Sequence, residues 1–122
     1  MSDIVTDRDV ERAIGVFNEL TVIQQGAQMS EIGRLIHNDN LYEAMVGVTE
    51  ATMADQFANE NPKLPVDKVK AKARSSKEYI DAIKKASRAK GELGSARMRV
   101  TAASNIVEIW RTQCSNNRKG HL

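Results

Sequence analysis

Residues 79–114 read YIDAIKKASRAKGELGSARMRVTAASNIVEIWRTQC, and the periodicity of this stretch predicts the main helix of the fold. Apolar and small residues recur in it every three or four positions, in a strict heptad alternation over five repeats. That spacing places all of them along one side of a long α-helix, as in a coiled coil. We predict that this side, the packing seam, is buried against other helices. It comprises Tyr79, Ala82, Ala86, Ala89, Leu93, Ala96, Val100, Ala103, Val107, Trp110 and Cys114.

Gly91 and Gly94 are the weak point of this helix. Each glycine costs about 1 kcal/mol in a helix interior relative to alanine. Gly94 and Ser95 could end one helix and start the next, but the seam passes through Leu93 and Ala96 without a change of phase. We therefore predict one helix, straight or kinked, in which the glycines let a neighbouring backbone approach closely.

A boundary precedes the long helix at Asn61-Pro-Lys-Leu-Pro65. Pro62 disfavours helix at the residue before it, and Pro65 is tolerated in the first turn of a new helix. We predict a turn at 62–65 and a basic helix over about 66–114, with a mostly polar section at 68–76. Residues 115–122 form a polar tail that we expect to fray.

The first 61 residues predict three shorter, acidic helices, at about 7–25, 27–37 and 40–60. Thr6 and Asp9 match a capping box at the first start, and Asn38-Asp39-Asn40 is a turn signal. The third helix carries one apolar stripe, consisting of Tyr42, Met45, Val46, Thr49, Met53 and Phe57. The predicted fold class is all-α: a single domain over 1–122, in which the long C-terminal helix packs on two or three shorter helices.

Composition agrees with a small helical protein. The 122 residues are 41% apolar but only 4% aromatic, so alanine, methionine and aliphatic residues must form the core. One cysteine allows no internal disulfide, which is typical of a reducing, cytoplasmic location. No apolar stretch approaches the ~18 residues of a membrane span, and the N-terminus lacks the pattern of a secretory signal.

The net charge of +2 hides an asymmetry between the halves. Residues 1–62 hold eleven acidic and three basic residues, whereas residues 63–122 hold fifteen basic and five acidic residues. Two interpretations follow. The halves neutralise one another within the bundle, or the basic half meets an acidic partner such as nucleic acid.

The sequence offers little for catalysis. His37 is at a predicted helix end and His121 is in the tail, while Cys114 lies on the seam without a second ligand at zinc spacing. Asp7 and Asp9 belong to a helix start, where carboxylates usually cap the backbone. We predict a protein that is not an enzyme, with no metal, no cofactor and no small-molecule substrate.

The basic section is the candidate binding surface. Its basic side chains could contact the phosphates of a nucleic acid whatever the base sequence. Apart from Tyr79, the section has no aromatic residue on which a base could stack. The candidate nucleic-acid-binding residues are Lys68, Lys70, Lys72, Arg74, Lys77, Lys84, Lys85, Arg88 and Lys90. Among them, Lys70, Arg74 and Lys77 would share one face of a continuous helix, and Lys84 and Arg88 would form a second patch. The alternative is a solvated helix face.

Residues 102–119, AASNIVEIWRTQCSNNRK, resemble the end of small helical proteins from the early regions of tailed bacteriophages. The matching features are the Trp110-Arg111 pair and the polar tail with Asn117 and Arg118. The resemblance covers the last third of the chain, and it implies genes near recombination or replication functions. It supplies no functional residues.

These observations lead to three functional hypotheses. The first is a non-enzymatic binding or adaptor protein, phage-like, which presents the basic section to DNA or to an acidic protein during recombination or replication. The second is an inhibitor or regulator that binds a host protein through the acidic N-terminal surface, including Glu43 and Glu50. The third is a structural oligomer. Association of the chain with itself, as a homodimer or larger assembly, is expected. Trp110 is either a core anchor or an exposed contact for a partner.

Overall fold

The structure, a computed structural model, describes residues 4–120, with the side chains of 4–118. This part of the chain contains four helices and no strand. They are α1 (Asp7–Thr21), α2 (Glu31–Glu60), α3 (Val66–Arg74) and α4 (Lys77–Gly120). The all-α class, with a long C-terminal helix packed against shorter N-terminal helices, is therefore confirmed.

α1 begins at the predicted capping box. The Thr6 hydroxyl accepts from the Asp9 backbone N–H at 3.1 Å, and the Asp9 carboxylate accepts from the Thr6 N–H at 3.0 Å. The helix ends at Thr21, earlier than the predicted residue 25. Gly26 then adopts φ +83°, a left-handed conformation that glycine accepts without a steric penalty.

α2 is one helix of 30 residues, so the predicted helix start at residue 27 and the predicted turn at 38–40 are wrong. The Ser30 hydroxyl instead accepts from the Gly33 N–H at 3.1 Å, next to the helix start at Glu31. Helix continues through the Asn-Asp-Asn segment because the inner side, from Leu35 through Tyr42 to Met53, keeps one helical phase. Burial along that side outweighs the turn preference of three short polar residues.

The predicted helix over 66–114 consists of α3 and α4, which are separated at Ser75 and Ser76. The Ser75 hydroxyl donates to the Lys72 carbonyl at 3.0 Å. The Ser76 hydroxyl donates to the Ala73 carbonyl at 2.6 Å and lies 3.3 Å from the Tyr79 N–H, which donates to it. The two side chains thus satisfy backbone groups at the end of α3 and the start of α4.

α4 spans 44 residues and ends at Gly120, six residues after the predicted end at 114. Gly91 and Gly94 do not interrupt it. A Cβ atom added at either glycine would meet no atom within 4 Å. No neighbouring backbone therefore approaches these glycines closely, and the prediction that they allow such an approach is wrong. His121 lies outside the described residues.

The chain divides into two compact units. The first comprises Met1–Arg34 and Gly94–Leu122, and there α1 runs antiparallel to the C-terminal part of α4. The Gln113 side chain exchanges two hydrogen bonds of 3.0 Å with the backbone of Val5, and the Trp110 indole N–H donates to Asp7 at 3.0 Å. The core of this unit is Val10, Ala13, Leu20, Ala96 and Ala103.

The second unit comprises Leu35–Leu93, which includes α3 and parts of α2 and α4. α3 contacts α2 through polar and aromatic side chains described below. Its core consists of small and aliphatic residues, and no aromatic side chain is among them. The buried residues are Leu35, Met53, Val69, Ala73, Ala89 and Leu93.

Candidate nucleic-acid interface

All nine candidate basic residues lie in the second unit and are exposed to solvent. Four are on α3 and five are on α4, so no single helix carries the whole set. The α3 residues are Lys68, Lys70, Lys72 and Arg74; the α4 residues are Lys77, Lys84, Lys85, Arg88 and Lys90.

Two of the nine are engaged with α2. Arg74 Nε lies 2.9 Å from Glu50 Oε1, and Lys72 Nζ lies 4.9 Å from the centre of the Phe57 ring. The Arg74 side chain is 56% exposed, so its ion pair contributes less than about 1 kcal/mol to stability. These contacts attach α3 to α2, and they give Arg74 and Lys72 a structural role that the sequence did not reveal.

The other seven have no ion pair within the described part of the chain. Of these, Lys77, Lys84 and Arg88 fall within about 40° on one side of α4 and span about 16 Å along its axis. Asp81 lies on the same side, between Lys77 and Lys84. We call this group the α4 basic stripe (Lys77, Lys84 and Arg88); it carries three positive charges without an ion pair among the described residues, and Asp81 lies within it.

The expected face shared by Lys70, Arg74 and Lys77 is not formed. It required a continuous helix, but α3 ends at Arg74 and α4 begins at Lys77. Arg74 is also directed to Glu50. The patch of Lys84 and Arg88, four residues apart on α4, is present.

Aromatic side chains are absent from the α4 basic stripe. Tyr79 is half-buried on the packing seam and is not presented to solvent with the lysines. Contact with a nucleic acid would therefore go through the phosphates rather than through stacked bases.

The packing seam faces inward along its whole length. Four of its residues are buried: Ala89, Leu93, Ala96 and Ala103. The remaining seam residues are half-buried. Trp110 is half-buried and bonded to Asp7, so its indole belongs to the contact between α1 and α4.

The acidic and basic halves of the sequence are mixed by the fold. The second unit contains ten basic and nine acidic residues, and the first contains eight basic and seven acidic residues. Together with the Arg74–Glu50 pair, this near balance favours the interpretation that the halves largely neutralise one another. Any polyanion must therefore be recognised by a local stripe of charge.

Much of the acidic surface is also engaged within the chain. Asp7 accepts from Trp110, and Glu31 pairs with Arg34. The Thr6 backbone N–H, which donates to the Asp9 carboxylate, lowers the pKa of Asp9 most, and the nearby Thr6 hydroxyl lowers it further. The hydrogen bond from Arg34 lowers the pKa of Glu31. The chemistry of these carboxylates is that of caps and ion pairs.

The described residues contain no group of three or more His, Cys, Asp or Glu side chains that could hold a metal ion. Cys114 is a free, half-buried thiol. None of the helices in this part of the chain is long and apolar enough to cross a membrane.

The sequence interpretation missed one surface. Met45 was assigned to a buried stripe, yet it is 43% exposed, and Leu41 and Val48 beside it on α2 are also exposed. The spacing of Leu41, Ala44, Val48 and Ala51 by three and four residues was visible in the sequence as a second apolar stripe, whereas Met45 lies between this stripe and the groove that α2 forms with α4.

The fold and the candidate surface define the class: an all-α protein with a long C-terminal helix and a local stripe of exposed positive charge. Comparisons with known protein families, with curated proteins and with solved structures find no match to this chain.

Proposed function

We propose that this is a non-enzymatic binding or adaptor protein that presents the α4 basic stripe to the phosphates of DNA, as an accessory to recombination or replication. One observation carries the proposal. Seven of the nine candidate basic residues are exposed without an ion pair in the described part of the chain, and three of them share one side of α4. The resemblance of the C-terminal segment to phage early proteins supports the biological setting.

The geometry of the α4 basic stripe supports electrostatic contact with phosphates as the proposed mode of binding. Lys77, Lys84 and Arg88 span about 16 Å of a rigid helix, a length that covers several phosphates of one DNA strand. Without an exposed aromatic residue among them, these side chains give electrostatic contact and no base readout. Three phosphate contacts predict a slope of about −3 for the logarithm of affinity against the logarithm of salt concentration.

The test is fluorescence anisotropy with a labelled duplex of about 20 base pairs, titrated from about 50 to about 200 mM salt. The variant Lys84→Glu/Arg88→Glu reverses two charges four residues apart on α4. Arg8→Glu/Arg12→Glu is the matched control, because these exposed arginines have the same spacing on α1.

We expect the α4 variant to weaken binding at least tenfold and to flatten the salt slope, whereas the α1 control keeps the wild-type affinity and slope. Absence of binding at the lowest salt concentration would remove the proposal. An equal loss in both variants would show that only net charge matters and would remove the assignment to α4.

A further inference from the structure

The outer face of α2 is apolar and uncovered. It comprises Leu41, Ala44, Val48 and Ala51, all of which are exposed. Leu41 is 45% exposed and Val48 is 64% exposed, large values for aliphatic residues in the middle of a helix. A contiguous exposed apolar strip is a candidate interaction site.

The face is set apart from the rest of its unit. α3 contacts α2 at Glu50 and Phe57, and α4 lines a groove with Tyr42, Met45, Thr49, Thr52 and Met53. Met45 and Thr52 border the outer face, and the other positions lie further around α2. Neither of these helices covers Val48.

Heptad spacing continues along this face. Positions 37, 41, 44, 48, 51 and 55 alternate by four and three residues, as in a coiled-coil seam of about 27 Å. The charged residues Glu43 and Glu50 project from the other side of the helix. Among these six positions, only the two at the ends are polar or charged. They are His37 and Asp55, and both are exposed.

We propose that the α2 outer face binds the same face of a second copy of this chain, with the two helices antiparallel. A two-fold contact places each residue against a complementary one. In this register, Leu41 lies against Ala51 of the second copy, and Ala44 lies against Val48. Each large side chain thus meets a small one, as close helix packing requires.

Charge fixes the direction of the pair. In the antiparallel register, His37 meets Asp55 of the second copy at both ends, and the imidazole N–H donates to the carboxylate. A parallel pair would set Asp55 against Asp55, which is repulsive. No other charge lies on the face to oppose the antiparallel arrangement.

The contact is small. One helix face per protomer falls at the lower end of specific interfaces, so we expect a dissociation constant in the micromolar range. This association is independent of the proposed DNA contact, which uses α4.

Sedimentation velocity of the full chain, from about 5 to about 500 μM, tests the dimer. Val48→Lys places a charge at the centre of the face, and because Val48 is largely exposed in the protomer, the fold tolerates it. Met98→Lys is the matched control, since Met98 is a 75% exposed apolar residue on α4 in the other unit.

We expect the wild type and Met98→Lys to shift from monomer to dimer over this range, and Val48→Lys to remain monomeric with unchanged helicity. A wild type that is monomeric throughout would overturn the proposal and leave the face to a helix of a different protein. Dimerisation of Val48→Lys with wild-type affinity would also overturn it.

Disulfide trapping tests the direction. Ala44→Cys and Val48→Cys are made separately in a Cys114→Ser background and are then oxidised alone and mixed. The antiparallel register predicts a cross-link only in the mixture, between the two different variants. Cross-linking of either variant with itself, and none between the two, would show a parallel pair and overturn the assignment.

Discussion

Replacing Gly91 and Gly94 by alanine should stabilise the protein. Both residues lie inside α4, and a Cβ atom at either position would meet no atom within 4 Å. Alanine therefore introduces no clash, while it restricts the unfolded chain more than glycine does. The gain is about 1 kcal/mol at each position, from the difference in helix propensity.

The double variant should gain about 2 kcal/mol, because two small methyl groups on open surface act nearly independently. For a chain of this length, that gain raises the melting temperature by roughly 6–10 °C. Differential scanning calorimetry and urea denaturation of both variants measure it, and the urea m-value should not change.

Gly26→Ala is the matched control. Gly26 also has open space around its Cβ position, but its φ of +83° is unfavourable for alanine. We expect it to destabilise the protein by about 1 kcal/mol. If the α4 variants lost stability as Gly26→Ala does, the reasoning would be refuted, because a hidden contact or a non-helical conformation at the glycines would then be required.

Two further predictions concern contacts at the starts of α1 and α2. The hydrogen bond from Trp110 to Asp7 should appear as a coupling of about 0.5–1 kcal/mol in a double-mutant cycle of Trp110→Phe and Asp7→Ala, measured by urea denaturation. Strictly additive losses would contradict it. The pKa values of Asp9 and Glu31 lie below the ordinary 3.8 and 4.5, so both ionise more readily in the folded state. Their stabilisation is complete above about pH 5 and is lost as the pH falls through the folded-state values. Urea midpoints between about pH 5 and pH 2 should therefore fall less steeply for Asp9→Asn than for the wild type, and parallel curves would refute the assignment.

Helix type and the inward side of the long helix could be predicted from the sequence. The seam from Tyr79 to Cys114 has one periodicity, and burial of small and apolar residues is the dominant favourable term in folding. The capping box of Thr6 and Asp9 was equally predictable, because it involves only residues that are three positions apart in the sequence. Such local and periodic signals do not depend on what the rest of the chain does.

The boundaries were less predictable, because tertiary burial competes with local preference there. Asn38-Asp39-Asn40 favours a turn by itself, but Leu35 and Tyr42 on the inner side hold it in α2. Conversely, Ser75 and Ser76 looked compatible with helix, and their hydroxyls instead bond to backbone groups and separate α3 from α4.

The candidate binding surface was likewise predictable in part from the sequence and in part only from tertiary contacts. The concentration of bases in residues 63–90 and the inward side of α4 can both be read from the sequence alone. What these bases contact depends on the tertiary structure: Arg74 binds Glu50, Lys72 lies over Phe57, and Lys84 and Arg88 have no ion pair among the described residues. The reason is physical: an ion pair or an exposed face depends on which helix lies opposite. A periodic sequence fixes which side of a helix is apolar, but it does not fix what covers that side.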